Sequence, residues 1–378
     1  MRVRRLANFF VSGTFLASMS LSAHHGGSLY EAAGETTTLR GQVTRFQFVF
    51  PHVLIYFAVQ GENGESVEWS GELTNPNRLT RGVGGGGASN NVSWTTETLQ
   101  PGDALEVMGN VARNGAPSMR LRRVVNADGR VLLGGNEGGG RVEIALEGTP
   151  TRSSEMDSGV DLSGVWMRRY NASYQNYAFT EEPPSMTAWA RERFEVTRPT
   201  FGPRGVAVAE TNDPVYQCLP PGTPRIYAHP SPFEIVQTPD RVMIVYEYQH
   251  IVRHVFVDGR EHRQGRPPSW MGESVGHWEG DTLVVETRNF NDKTWLDRRG
   301  LPHSDQLRLV ERIRRSNDNE LTIDITVQDP VAYTEPWTAR RVFDTVSWRL
   351  EENICLDDAI FEEFERALLE YDEGSAAE

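Results

Sequence analysis

The stretch SVGHWEGDTLVVET, residues 274–287, decides the fold class of this chain. Two runs with strand-forming residues, 274–278 with Val275 and Trp278 and the β-branched-rich 282–287, flank the turn Glu279-Gly280-Asp281, which is the pattern of a β-hairpin. A second hairpin of the same kind follows, with strands at 307–314 and 321–327. The sequence around the first hairpin therefore predicts antiparallel strands joined by short turns.

More short strands extend this pattern in both directions. They are predicted at 233–237, 242–248, 251–257, 337–343 and 347–350. About nine such segments fit an up-and-down barrel, because closure removes exposed strand edges. This second domain spans 161–355, with a helix over 186–196. An acidic C-terminal helix and tail, 356–378, follows it.

The first part of the chain predicts a smaller barrel. Strands are expected at 39–46, 52–59, 67–73, 104–112 and 119–125. Five strands in so short a stretch fit a barrel of the oligonucleotide/oligosaccharide-binding (OB) type, here over 24–133. The glycine run 84–87 lacks the context of a phosphate loop and is interpreted as a flexible insertion. A glycine-rich linker, 134–160, joins the two domains. The fold class is therefore all-β.

The N-terminal residues 1–23 have the pattern of a secretory signal peptide. Three arginines precede an apolar run over 6–21, and Ala23 ends the segment. The run is shorter than the roughly 20 apolar residues that a membrane span needs, and no later segment is long enough either. These features predict a periplasmic or secreted protein.

Cleavage after Ala23 would leave His24-His25 at the mature N-terminus. The terminal amine and two imidazoles, joined by His52, are donors that Cu(II) prefers, so copper is a hypothesis for this site. Cleavage after Ser22 is the alternative and would remove that arrangement. A solvated terminus and an ordinary surface histidine at position 52 are the other interpretation.

Charge and cysteine content limit the partners and the compartment. The formal net charge of −14 argues against nucleic acid, which needs a basic surface. Cys218 and Cys355 are the two cysteines, and an even pair in an exported chain predicts one disulfide. A reactive free thiol is the alternative interpretation.

The second domain holds the residues that could carry chemistry. The candidate acid–base residues are His250, Asp297, His303, Glu247 and Tyr333. The candidate ligand-binding residues are Arg253, Trp270, Trp278, Trp295 and Trp337. Aromatic side chains with a few polar groups are typical of a small-molecule pocket, and a histidine paired with a carboxylate can move protons near neutral pH. The alternative is a polar network that ties loops to the barrel rim.

Several common catalytic motifs are missing from the sequence. It contains no nucleophile elbow, Walker loop, dinucleotide fingerprint, His-Glu-x-x-His or Cys-x-x-Cys. This excludes the main hydrolase, kinase, dehydrogenase and zinc-protease interpretations.

Two resemblances support the division into domains. Residues 24–133 resemble a family of exported bacterial domains of unknown function, through His24-His25, Pro51-His52-Val53 and Asn75-Pro76-Asn77. The glycine run 82–87 and Gly26-Gly27 depart from that family's pattern. Residues 160–355 look like a second uncharacterised bacterial module, and Gly164-Val165-Trp166 is similar to the start of lipocalin-like barrels. The resemblance implies a lipocalin-like fold but no known reaction.

Three functions remain open at this point. The first is an exported protein that binds a small, largely apolar ligand in the second barrel, with copper on the first domain as an accompanying hypothesis. The second is an isomerase, lyase or hydratase that uses His250, His303 and Asp297 for proton transfer. The third is an interaction module of an envelope assembly, with the first barrel as the docking surface.

Overall fold

The structure, a computed structural model, describes most of both predicted domains. The described residues are 30, 36–61, 63–83, 92–134, 160–169, 173–176, 178–197, 213–355, 363–364, 366–368 and 371. Within them the chain is nearly all β, as the sequence predicts. The predicted signal peptide and most of the predicted linker lie outside the described residues. No helix in the described part of the chain is long and apolar enough to cross a membrane.

The N-terminal part forms a closed five-stranded barrel, which confirms the prediction. Its strands are β1 (Thr37–Gln47), β2 (Leu54–Gln60), β3 (Ser66–Glu72), β4 (Ala104–Val111) and β5 (Ser118–Asn126). A parallel pairing of β3 with β5, at Ser70 opposite Ser118, closes the barrel. One short strand, β6 (Val131–Leu133), was not predicted and pairs with β5.

The small barrel has an apolar core and one helical turn. Phe57, Val107 and Met119 are fully buried in it, and the Trp94 indole donates a 2.9 Å hydrogen bond to Leu132 O. Helix α1 (Pro76–Thr80) follows β3 and begins at Asn75, whose side chain accepts a hydrogen bond from the Arg78 amide. The core thus fixes the position from which α1 projects.

The C-terminal part forms a closed nine-stranded barrel. Its strands are β7 (Gly164–Arg169), β8 (Phe233–Gln237), β9 (Arg241–Tyr246), β10 (Val252–Phe256), β11 (Glu273–Glu279), β12 (Thr282–Arg288), β13 (Arg308–Asn317), β14 (Glu320–Gln328) and β15 (Trp337–Val346). Helix α2 (Ala188–Thr197) lies close to its predicted position, and both predicted hairpins form. A short C-terminal helix includes the described residues 363–364 and 366–368.

Two details of the large barrel differ from prediction. The predicted strand at 347–350 is wrong, because Arg349 O there accepts a hydrogen bond from Arg81 instead of joining a ladder. The ninth strand is β7, whose Trp166 lies opposite Phe233 and is fully buried. The other difference is that β10 and β11 pair in parallel, because the connection 257–272 returns along the barrel before β11 begins.

A buried polar network spans this parallel seam. Arg253 on β10 donates to Ser274 Oγ (3.0 Å), Thr287 Oγ1 (2.7 Å) and the Tyr227 hydroxyl (2.9 Å). It also makes two hydrogen bonds to the carboxylate of Glu311 on β13. These bonds use all five N–H donors of the guanidinium, so protein groups satisfy every hydrogen bond that the buried charge can donate.

The two ends of the large barrel differ in their connections. Tight turns at 238–240, 280–281 and 318–319 lie at one end. The longer connections that follow β7, β9, β12 and β14 begin at the other end, which we call the loop end. Binding and catalytic residues concentrate on loops that a rigid scaffold positions, so the loop end is the place to look for a site.

Helix α1 of the small barrel contacts the loop end. Arg81 makes a bidentate ion pair with Glu247, at 2.9 and 2.6 Å, in a setting where both side chains are buried. The Asn77 amide donates to Glu352 O at 2.8 Å, and Arg78 Nη1 donates to Pro230 O at 3.3 Å. These contacts place the small barrel against the rim of the large one.

The C-terminal segment connects the two barrels a second time. The predicted disulfide is confirmed, with the Cα atoms of Cys218 and Cys355 5.5 Å apart. Beyond it, Phe364 and Leu368 are buried against an apolar face of the small barrel that includes Leu54. The segment therefore begins on the loop end and finishes on the small barrel.

We expect Glu311→Gln to destabilise the large barrel strongly. The substitution leaves the buried Arg253 charge without its counter-ion, which costs about 3–5 kcal/mol. Urea unfolding would measure this loss. In Glu279→Gln, on the same barrel, an exposed ion pair with Arg312 is lost, and a change of no more than about 1 kcal/mol is expected. Equal effects of the two substitutions would contradict the structural role of Glu311.

Candidate functional site

Most of the predicted site residues of the second domain lie at the loop end. Asp297 and His303 are in the connection between β12 and β13, and Tyr333 is in the connection between β14 and β15. Glu247 and His250 flank or form the 3₁₀ turn between β9 and β10. The barrel therefore gathers these groups at one end, as a site would require.

Asp297 is fully buried, and its carboxylate is hydrogen-bonded to Arg299. Its carboxylate accepts hydrogen bonds from the Arg299 amide (2.9 Å), Nε (3.0 Å) and Nη2 (2.7 Å). Arg299 in turn donates to Thr180 Oγ1 and Glu181 O, at 3.0 and 3.2 Å. Asp297 thus holds the arginine that fixes the 178–181 segment.

His303 is a buried neutral imidazole. Its Nδ1 lies 3.0 Å from Ser304 O and must carry the proton, while Nε2 lies 2.6 Å from the Thr294 hydroxyl and accepts from it. Burial lowers the pKa of His303, although the Ser304 carbonyl and Asp329 oppose that shift. Both nitrogens have protein partners, and neither partner is Asp297.

The remaining acid–base candidates are also engaged or exposed. The Tyr333 hydroxyl donates to Pro302 O at 2.8 Å, and burial, with Asp297 and Asp329, raises its pKa well above the usual value. Glu247 pairs with Arg81 and accepts from the Glu351 amide at 3.0 Å. His250 is exposed and has a positive φ of 51°. The structure brings these residues to one end but does not assemble them into a proton relay.

The predicted ligand-binding residues fall into two groups. Arg253 lies in the barrel interior, where the protein network described above occupies its donors. Trp278 and Trp337 pack in or against the apolar core, Trp295 is buried beneath Arg225, and Trp270 is half-buried. No acceptor among the described residues lies within hydrogen-bond distance of Trp337 Nε1, which is buried.

A pocket of about 660 Å³ lies between the 174–181 segment and strands β14 and β15. Phe179, Ile325 and Ala339 provide apolar surface, and Thr326 and Thr338 add hydroxyl groups. Asp324 and Arg340, which also line it, pair with each other at 2.5 Å. Eight of the eleven lining residues carry polar side chains, so the pocket is mainly polar and has a smaller apolar area.

The arginines that support this pocket were not among the residues predicted from the sequence. Arg299 fixes Thr180 and Glu181, and Arg341 donates to Gln175 O and Ala178 O. The inward position of Arg341 could have been inferred from the alternation of strand residues. Every second residue of β15 faces inward, and this row consists of Trp337, Ala339, Arg341 and Phe343. A charged residue in that register indicates a buried polar contact.

The predicted metal residues are only partly described. His24 and His25 lie outside the described residues. His52 Nδ1 lies 2.6 Å from Glu72 Oε1, and the Glu72 carboxylate is buried. Burial opposes ionisation of Glu72, but His52, followed by Arg120, outweighs it and lowers the pKa of that carboxyl. Among the described residues, no group of three His, Cys, Asp or Glu side chains is placed to hold a metal ion.

Comparison with known proteins assigns no function to this geometry. Residues 14–119 match a family described as "Family of unknown function (DUF6152)". The match agrees with the predicted resemblance of the first domain to a domain of unknown function. It covers the small barrel up to the start of β5. No curated protein matches the chain.

The buried state of His303 predicts a loss of stability in mild acid. A histidine in the unfolded chain titrates near pH 6.5, whereas the folded protein holds His303 neutral below that pH. As pH falls through about 6.5, the unfolded state takes up protons that the folded state does not, so the free energy of unfolding decreases. Urea unfolding at several pH values measures this slope.

Two variants isolate the contribution of His303. His303→Gln should flatten the slope only in part, because burial and nearby arginines also lower the pKa of His229. His250→Gln, at an exposed position, should leave it unchanged. An NMR titration in which His303 protonates near pH 6.5 would contradict the burial argument.

Proposed function

We propose that this chain is an exported protein that binds a small, largely apolar molecule at the loop end of its second barrel. The pocket beside β14 and β15 carries the proposal. Its volume of about 660 Å³ lies in the range of roughly 300–1,000 Å³ that is usual for small-molecule sites. Phe179, Ile325 and Ala339 would contact the apolar part of the ligand, and the more numerous polar residues of the lining would bind its polar groups.

The hydrogen bonding at the loop end favours binding over proton transfer. A general base needs a lone pair directed at the substrate, but His303 Nε2 accepts from Thr294. The Asp297 carboxylate accepts three hydrogen bonds from Arg299, which fixes the wall of the pocket. Both residues thus support the shape of a binding site.

Two features support export. The first 23 residues have the pattern of a cleavable leader. The disulfide between Cys218 and Cys355 is of the kind that persists in oxidising compartments.

A second candidate function is copper binding at the mature N-terminus, and His52 is the observation that favours it. A metal-ligating histidine usually turns its other ring nitrogen toward a carboxylate, and Glu72 occupies that position for His52. The Tyr30 hydroxyl lies 3.3 Å from Ser118 Oγ, and Tyr30 is among the groups that lower the pKa of Glu72, after His52 and Arg120. His24 and His25 precede Tyr30 by so few residues that an extended chain of roughly 3.3–3.6 Å per residue could reach His52.

The donors fit Cu(II), which takes imidazole and amine nitrogens in tetragonal geometry. His24, His25 and His52 would hold it, and the bound ion would supply a redox centre or a structural crosslink. In this arrangement Glu72 orients the imidazole of His52.

Filling the pocket should remove the bound molecule. We expect mass spectrometry to detect a small molecule that stays with the natively purified protein. Thr338→Trp should reduce its amount about tenfold or more, because the indole occupies space that the ligand needs.

Val252→Trp is the matched control for this experiment. It places an indole at an exposed β-branched position of β10 that does not line the pocket, so the ligand content should stay at the wild-type level. Equal ligand content in both variants would contradict the assignment of the pocket.

Copper binding should depend on the first mature residue. Metal analysis of the exported protein should find stoichiometric copper in the wild type and a large loss in His24→Ala. His277→Ala, at an exposed position of the large barrel, should keep the metal. Stoichiometric copper in His24→Ala, or a mature chain that begins at Ala23, would rule out the N-terminal site.

A further inference from the structure

Arg341 is a buried cation next to the pocket. It lies on the inward face of β15, two residues after Ala339, and is 3% exposed. Its Nη atoms donate to the carbonyl oxygens of Gln175 and Ala178, and the Phe179 ring lies 4.4 Å from its guanidinium carbon. No acceptor among the described residues lies within hydrogen-bond distance of its Nε. Arg341 therefore contacts the pocket wall and keeps one buried donor unused.

The charge of Arg341 is not neutralised by a direct ion pair in the described part of the chain. Burial lowers its pKa to about 10, and Asp297 and Tyr174 only partly oppose that shift. Because burying an unpaired charge is costly, an anion placed beside the guanidinium would lower the free energy of the folded protein.

Other arginines extend this positive region. Arg168 lies on the adjacent strand β7, opposite Phe343, and its pKa is lowered by burial and then by Arg78, Arg341 and Arg298. The same end of the barrel thus concentrates guanidinium groups in a chain whose formal net charge is −14.

Three carboxylates at the loop end have arginine partners, whereas Asp329 accepts hydrogen bonds from Ser304 and from backbone amides. Asp297 pairs with Arg299, Asp213 with Arg225 and Glu247 with Arg81. In the pocket itself Asp324 pairs with Arg340, which leaves Glu181 exposed at the edge. Among the described residues, Arg341 is thus a buried cation beside the pocket that makes no ion pair with a carboxylate.

Trp337 supplies a second unused donor on the same face of β15. It precedes Ala339 by two residues, is 8% exposed, and has no acceptor for Nε1 among the described residues. Trp337 and Arg341 thus flank Ala339, the residue of this row that lines the pocket. Two buried donors on either side of one pocket residue favour a ligand that brings acceptor oxygens.

We infer that the ligand of this pocket is a small organic acid. Its apolar body packs on Phe179, Ile325 and Ala339, and its carboxylate is directed toward Arg341 and Trp337. The inference rests on the proposed binding function and adds to it the chemical class of the ligand. A carboxylate meets both requirements, because it offers acceptor oxygens and a negative charge together.

A matched pair of probes tests the ligand class. 1-Naphthoate and 1-naphthalenemethanol share the same ring system, so their affinities differ mainly through the carboxylate. Fluorescence titration of the wild-type protein should give an affinity about tenfold or more higher for 1-naphthoate. High salt should reduce that preference, because part of it is electrostatic.

Two variants test which residues cause the preference for 1-naphthoate. Arg341→Gln should bring the affinities of the two probes close together, and Arg312→Gln, on the outside of the same barrel, should keep the wild-type preference. Trp337→Phe removes the N–H donor together with part of the ring and should weaken the preference for the acid severalfold, while Trp69→Phe in the small barrel, with the same loss of ring atoms, should not. If Arg341→Gln does not fold, Trp337→Phe still tests the ligand class.

The possible outcomes separate the two proposals. Equal affinity of the acid and the alcohol in the wild type would overturn the ligand class and leave the pocket in place. Failure of both probes to bind would contradict the pocket itself, and the inference with it. A preference for the acid that survives Arg341→Gln and Trp337→Phe would place the anion elsewhere and overturn the inference.

Discussion

The buried ion pair between Arg253 and Glu311 is the contact on which closure of the large barrel depends. The seam between β10 and β11 has only two registered residue pairs, Val255 with Ser274 and Phe256 with Val275. Arg253 crosses this seam to Ser274 and continues to Thr287 and Glu311, so it ties four successive strands together. Because all its donors are used inside the protein, its role is structural. A closed barrel in turn fixes the loop end and everything that projects from it.

Much of the fold followed from local sequence signals. The hairpin over 274–287 was readable because its turn residues and alternating apolar positions act over a few residues. The parallel pairing of β10 with β11 was not readable, since nothing in 257–272 shows that the chain returns along the barrel before the next strand. The predicted strand at 347–350 failed for a related reason. Its backbone bonds to Arg81, a residue far away in the sequence.

The pocket beside β14 and β15 was not predictable from the sequence, since none of the predicted catalytic or ligand-binding residues lines it. Asp297 and His303 lie in the connection between β12 and β13, which the sequence indicates as a loop because it joins two predicted strands. Which partners those residues take depends on packing between distant elements. Arg299, two residues from Asp297, and Thr294, nine residues from His303, satisfy them before a ligand does. The inward position of Arg341 could be inferred from its alternation with Trp337, Ala339 and Phe343, but its bonds to Gln175 and Ala178 could not, because they depend on packing between distant elements.

The route of the C-terminal segment has a consequence for how the two barrels can be separated. The chain leaves the large barrel at β15, is bonded to the loop end at Cys355, and then covers Leu54 and its apolar neighbours on the small barrel. The two barrels are thus joined once by the backbone between them and a second time by the apolar contacts of the C-terminal segment. A small barrel expressed alone would present that bare patch to water and would be prone to self-association. A cut at the glycine-rich linker would therefore separate the small barrel from the C-terminal residues that cover its apolar face.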